Sequence, residues 1–271
     1  MNSKPASAPF TEGLDPAWYD AIPERLSRRR FDGSAVAPEA LGRLAAMCQT
    51  FHPMPRARMA LVEDAPPGLF TGFIGSYGSV RGARSAALFM GTEGGEPDMG
   101  YTGEALVLEA TRLGVGTCWV AGAFDRKRAA TLVDLRDGEQ VMAITPLGHA
   151  TGRLGTTEKA MRGMAGAHKR KTLAEIAAGA SPDTWPAWAM TAAEAVRLAP
   201  SGVNAQPWRL RFDDDALVLS QAPSMYWTAP MDMGIAMLHA QLGALHDGVR
   251  GTWTMTVSAP DVARFTPEVI A

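Results

Sequence analysis

The chain has 271 residues, 46% of them hydrophobic, enough to bury a substantial core as one large domain or two packed ones. A net charge of −2 with no basic stripe argues against a nucleic-acid partner. No apolar run reaches the ~18 residues of a transmembrane helix, and two cysteines, Cys48 and Cys118, fit a reducing, cytoplasmic setting better than a disulfide framework.

The first thirteen residues lack the apolar h-region of a signal peptide and read as a flexible lead-in, placed over residues 1–22. Pro38–Met47 has helix-start chemistry, with Pro38 in the first turn and apolar residues at helical spacing. Arg58–Glu63 and Ser85–Met90 predict short strands, and the glycine-rich Gly68–Gly82 between them predicts a loop that suits a mobile cover. A helix follows, with Asp98 as expected N-cap and Gly114 as expected C′ residue. Ala105, Leu106, Val107, Leu108, Ala110 and Leu113 make it apolar nearly all round, so it belongs in a core. Thr117–Ala121 and Gln140–Pro146 predict core strands, the former containing Cys118 as a buried structural thiol. Gly152–Gly166 is polar and glycine-rich and suits a connector between halves. Beyond it the pattern predicts a helix over Thr191–Leu198, strands at Arg209–Phe212 and Leu217–Ser220, and a hairpin turn at Asp213–Asp215. Interleaved helices and strands give an α+β class.

One segment occurs twice. Asp98–Trp119 and Asp232–Trp253 align without a gap at an offset of 134, with eight identities in 22 positions. Chance would supply roughly one or two. Two copies are too few for a solenoid and suggest two related half-domains, here 23–166 and 167–271, about a pseudo-two-fold axis.

Two motifs carry chemistry. Ala199-Pro200-Ser201-Gly202-Val203-Asn204-Ala205-Gln206-Pro207-Trp208 sets a hydroxyl and two amides on one loop, which suits the donor and acceptor rim of a planar heterocycle; the same residues also suit an ordinary turn. Arg25-Leu26-Ser27-Arg28-Arg29-Arg30-Phe31 packs four arginines into six residues, fit either to clamp a phosphate or to form a solvated face. No GxGxxG or P-loop pattern opens a helix. The histidines show no metal-ligand spacing, and His239 and His246 read as surface or interface residues. Trp185, Trp188 and Trp227 read as packing, with Trp227 in a loop able to cover a ligand.

Together with Gly114-Val115-Gly116-Thr117-Cys118-Trp119-Val120-Ala121-Gly122, these motifs resemble the nitroreductase family of FMN-dependent oxidoreductases. In ordinary members the Asn-Gln-Pro-Trp loop follows the arginine motif and precedes the Thr-Cys-Trp motif, all in one protomer of a homodimer. Here Cys48–Pro55 occupies that place without the amide pair, and the loop stands in the second half. The chain therefore resembles the fused-pseudodimer branch. In the family, FMN sits at the dimer interface and meets the loop of the opposite protomer, so the resemblance implies one FMN site per chain. The implied roles are Arg25 and Ser27 on the phosphate, Arg29 at the N1–C2=O edge, and the backbone of Ala121 and Gly122 near N5. Ser201, Asn204 and Gln206 would approach from the other half. His168-Lys169-Arg170-Lys171 resembles the family's C-terminal basic pair, which makes Arg170 a second phosphate contact assisted by His168 or Lys169; an exposed basic helix start is the alternative. Leu26, Gly202 and Ala121 depart from the usual basic residue, second serine and first glycine.

The implied activity is an FMN oxidoreductase with NADH or NADPH as reductant. A hydride passes to flavin N5, and a planar electron-poor acceptor such as a nitroaromatic or quinone is then reduced in the same place, in ping-pong order. A flavin-binding protein for storage or sensing is the alternative. No metal, nucleic-acid or membrane partner is expected, and the chain is expected as a monomer with pseudo-two-fold symmetry or a weak homo-oligomer.

Overall fold

The computed structural model describes residues 13–70, 79–151, 169–179, 181–256 and 258–268. The chain divides into two compact units, Pro23–Lys169, and Arg170–Ala271 joined by Met1–Ile22. The whole of the expected connector, Gly152–Gly166, and residues 71–78 of the expected cover loop lie outside the described residues.

The lead-in is shorter than expected. Helix α1 (Trp18–Glu24) buries Trp18, Ala21 and Ile22, a stripe at i, i+3 and i+4 that gives the segment a face to pack. Tyr19 stacks on His246 with ring centroids 4.0 Å apart.

In the unit Pro23–Lys169, α2 (Pro38–Thr50) precedes strands β1 (Ala57–Val62) and β2 (Ser85–Thr92), then α3 (Glu96–Arg112), α4 (Arg126–Ala130) and β3 (Glu139–Leu147). The antiparallel sheet has the order β1-β2-β3. β2 is buried on both faces except at its last residue, which is why its sequence is continuously apolar rather than alternating. The segment expected as a strand at Thr117–Ala121 forms no continuous ladder with β3; Val120 bridges Ile144, Cys118 N–H donates to Thr145 Oγ1 at 3.0 Å, and the adjoining Gly116 bridges Gly148 just past β3. Leu88, Met90, Val120, Val141 and Ile144 share one buried cluster.

In the other unit, α5 (Leu173–Ile176) and α6 (Ala187–Leu198) precede the hairpin of β4 (Trp208–Asp213) and β5 (Ala216–Gln221), then α7 (Ala229–His246), β6 (Gly251–Met255) and β7 (Asp261–Pro267). Asp214 and Asp215 both have positive φ, the two-residue turn that matches strand twist. The sheet order is β4-β5-β7-β6. The first unit shares the helix–strand–strand–helix run of the second, α2-β1-β2-α3 against α6-β4-β5-α7.

The repeated sequence has a local physical cause. Neither Asp98 nor Asp232 is an N-cap; α3 starts after Gly95 and α7 after Thr228. A proline at the start of each helix sets its first turn, so each aspartate falls inside that turn. At the other end the expectation for Gly114 holds. Val115 N–H donates to Ala110 O and Gly114 N–H to Thr111 O, and Val249 and Gly248 donate to Ala244 O and Leu245 O. Both ends are Schellman motifs, with Gly114 at φ +72 and Gly248 at φ +77. Of the eight identities, Gly, Val and Ala are thus cap chemistry.

His239 is not at the surface. It is fully buried, and its Nδ1 lies 3.0 Å from Ala195 O. Helix α7 is buried on nearly every side through Ala244, so a polar residue there must bond to a neighbouring helix. Cys48 and Cys118 are free and buried, and burial pushes the Cys48 thiol up to about 12, far from a reactive thiolate.

Candidate functional site

The arginine segment forms an extended edge within Pro23–Lys169. Arg28 N–H donates to Thr117 O at 2.6 Å, Arg81 N–H to Arg29 O at 2.8 Å and Phe31 N–H to Arg81 O at 2.9 Å. Arg25, Ser27 and Arg29 occupy alternate positions of this run. Phe31 is buried and anchors the end of the run.

Arg25 is 7% exposed, and its Nε lies 3.8 Å from Oε1 of the fully buried Glu104. That separation is an ion pair without a hydrogen bond, and Arg25 Nε has no hydrogen-bond partner. The other carboxylate oxygen of Glu104 accepts from Trp119 Nε1 at 2.7 Å, and Trp119 stands 4.6 Å from the Phe89 ring. Glu104 balances the guanidinium charge while leaving Nε without a hydrogen bond. Glu104 was not among the expected residues. The signal was present, a carboxylate inside an apolar helix whose repeat counterpart is Leu238. Trp253, the counterpart of Trp119, accordingly has a buried Nε1 with no partner.

Ala121 and Gly122 follow the bridge at Val120. Ala121 is half-buried and Gly122 exposed, and Ala121 O accepts from Arg126 Nη2 at 3.0 Å. His168 lies outside the described residues.

In the other unit, Arg170, Ser201, Asn204 and Gln206 come together around one strained loop. Val203, Asn204 and Gln206 have φ of 47, 59 and 49, the left-handed region that costs a non-glycine residue roughly 1–2 kcal/mol. Opposing that cost, Gln206 N–H donates to Ser201 Oγ at 2.9 Å, and Gly202 N–H donates to both oxygens of Asp232 at 3.0 and 3.1 Å. Arg170 donates through Nη1 to Ala199 O and Asn204 Oδ1, both at 2.9 Å, and through Nη2 to Leu198 O at 3.1 Å. Lys171 N–H donates to Gln206 Oε1 at 2.9 Å and its Nζ to Gln206 O at 2.8 Å. Burial, then the nearby Arg209, lowers the Lys171 pKa.

The loop's chemistry is therefore narrower than the sequence implied. The Asn204 carbonyl oxygen is taken by Arg170. Gln206 is 4% exposed and bonded at both ends, through Lys171 N–H and to Asn204 O at 3.3 Å, so it is a structural member of the loop. Lys171 and Asp232 were missed. Lys171 is one cation among three neighbours, and Asp232 showed itself only as a repeat identity. Burial pushes the Asp232 carboxyl up to about 8, against the Gly202 N–H bond.

Among the described residues no helix is long and apolar enough to cross a membrane, and no group of side chains has the makings of a metal site.

Residues 17–244 match the model of a protein family described as "Putative TM nitroreductase", and the chain belongs to that nitroreductase family of oxidoreductases. A crystal structure of a "putative nitroreductase" from Thermotoga maritima superposes with TM-score 0.64 at 20% identity, covering 92% of each chain. It defines the fold as nitroreductase-like α+β. A nitroreductase family protein from Clostridium difficile 630 is 17% identical, with TM-score 0.42 over 64% of this chain and 100% of that one. An FMN-dependent nitroreductase from Clostridium difficile R20291 is 16% identical, with TM-score 0.39 over 49% of this chain and 87% of that one. No curated protein matches the chain.

Proposed function

We propose that the chain is an FMN-dependent oxidoreductase using NADH or NADPH to reduce a planar electron-poor acceptor, such as a nitroaromatic or quinone, in ping-pong order. Family membership supports the oxidoreductase class, and one observation carries the cofactor. Arg25 is a buried cation whose Nε has no hydrogen-bond partner and whose counter-charge stands at 3.8 Å. A guanidinium so held is prepared to receive an oxyanion, because charge-assisted bonds to a phosphate would satisfy donors that the protein does not. The residues present fit FMN in this respect.

Arg25 and Ser27 would hold the phosphate, the latter through its hydroxyl. Arg29 would place a cation at the pyrimidine edge, where a reduced ring gathers negative charge, and so favour reduction. The backbone at Ala121 and Gly122 would face the ring. Ser201 and Asn204 would donate to the ring's carbonyl oxygens, with Gln206 beneath them. When bound, FMN would supply the two-electron chemistry between nicotinamide and acceptor. The net reaction with a quinone balances as NAD(P)H, a proton and quinone giving NAD(P)⁺ and hydroquinone.

The test is optical. Protein titrated with FMN should retain the flavin's visible band after desalting, and anaerobic NADH or NADPH should bleach it, with a nitroaromatic or quinone restoring it. A colourless protein after FMN addition defeats the proposal. A yellow protein that neither nucleotide bleaches points to flavin storage or sensing instead.

A further inference from the structure

Arg170 sits in the stretch whose resemblance implies a phosphate contact, and its guanidinium also bonds the chain itself. Its guanidinium donates to two of the last carbonyls around the C-terminus of α6 and to Asn204. Those carbonyls have no partner within the helix and carry the negative end of its dipole. A planar fork meets all three acceptors at once, and a single ammonium does not. The next residue completes the grip from the other end of the loop, with Lys171 bonding both the side chain and the carbonyl of Gln206.

We infer that Arg170 and Lys171 are positioning residues that hold the Ser201–Gln206 loop in its strained conformation and fix the orientation of its amides. The loop needs such a clamp. Three non-glycine residues with positive φ within four positions do not persist unless their surroundings over-determine them. Within the loop itself, the backbone closes with Asn204 N–H on Ser201 O at 3.0 Å and Ala205 N–H on Gly202 O at 2.9 Å. These short-range bonds fix the turn, and Arg170 and Lys171 address the side chains of Asn204 and Gln206 from outside the loop. The clamp thereby holds the side-chain oxygens of both amides.

This inference uses the flavin reading for one of its two measurements. Arg170→Lys keeps the positive charge but loses the fork. Dissociation constants for FMN and for riboflavin, which lacks the phosphate, are measured by quenching of flavin fluorescence. Amide hydrogen exchange is followed at Asn204, Ala205 and Gln206, with β5 as reference. The clamp predicts that both flavins weaken by the same factor, on the order of tenfold. It also predicts loop amides exchanging on the order of tenfold faster while β5 is unchanged. Lys171→Gln should behave alike, and it serves as the second variant should Arg170→Lys lose its fold. Weaker FMN binding with riboflavin and exchange unaltered would instead assign Arg170 to the phosphate and overturn the clamp, as would no change in either measurement. Wild-type protein that binds neither flavin refutes the proposed function alone, and the exchange rates then decide the clamp.

Discussion

Asp232 is a carboxyl almost closed off from water, and burial lifts it to about 8 from an ordinary value near 3.8. The folded chain therefore keeps a proton that the unfolded chain releases. Between about pH 4 and about 8 the folded state binds more protons than the unfolded one, so rising pH through that window removes stability. Asp232→Asn has no proton to lose, and its side-chain oxygen still accepts from Gly202. Its melting temperature should fall less steeply across the window than that of the wild type, and parallel slopes would show that Asp232 does not titrate there. The residue illustrates what a sequence yields at this scale. Its identity with Asp98 marks it as structural, and Asp98 holds Arg56 N–H at 3.1 Å as Asp232 holds Gly202 N–H. Which backbone N–H the carboxylate meets depends on a loop thirty residues earlier in the chain, so spacing alone carries no trace of it. Glu104 is the converse case. A charge among Ala105, Leu106, Val107 and Leu108 is visible on inspection, but its worth lies in Arg25 and Trp119, which the fold brings to it.

At the scale of elements, the glycine-capped helix C-termini were the most legible feature because such caps are local, whereas the start of α3 was misplaced at Asp98. Gly114 and Gly248 need only their own turn to act. Helix faces were less so. The prediction of a buried α3 rested on apolar residues all round, and the same logic applied to α7 would have placed His239 in the core rather than at the surface. Close approach between helices was not legible at all. A Cβ on Gly243 of α7 would stand 2.6 Å from Ala192 Cα and 2.8 Å from Thr191 O, so α6 and α7 pack backbone against side-chain-free backbone. Gly243→Ala forces the helices apart and should cost about 1–3 kcal/mol, the usual range for overpacking. Gly42, within α2, has nothing within 4 Å of its would-be Cβ and no positive φ. Gly42→Ala should add about 0.5–1 kcal/mol through lower backbone entropy in the unfolded chain. Urea unfolding of the two variants should move in opposite directions. Equal shifts would mean that the helix contact at Gly243 is looser than the distances indicate.

At the scale of the whole molecule, the two units share one run of helices and strands, while the chemistry-bearing segments occur once each. The unit Pro23–Lys169 carries the arginine edge, and the turn after its α2, Phe51-His52-Pro53-Met54-Pro55-Arg56, has no amide side chain. The unit ending in Ala271 carries the amide loop, and the stretch before its α6, residues 173–186, has no arginine. The same division reaches into the cores. Glu104 and Trp119 bond in one unit, and Leu238 and Trp253 hold the corresponding places in the other without that bond. We propose that the repeated segment records a duplication in which only one of two ligand sites continues to be used. On that reading the chain takes up one FMN, not two. Titration of the purified protein with FMN, followed by desalting and measurement of flavin and protein absorbance, should saturate at one flavin per chain. Arg25→Met should abolish that uptake rather than halve it, since no second arginine edge exists among the described residues to retain a share. A saturation at two flavins, or a half-loss in the variant, would restore a working site to each repeat and refute the one-site model.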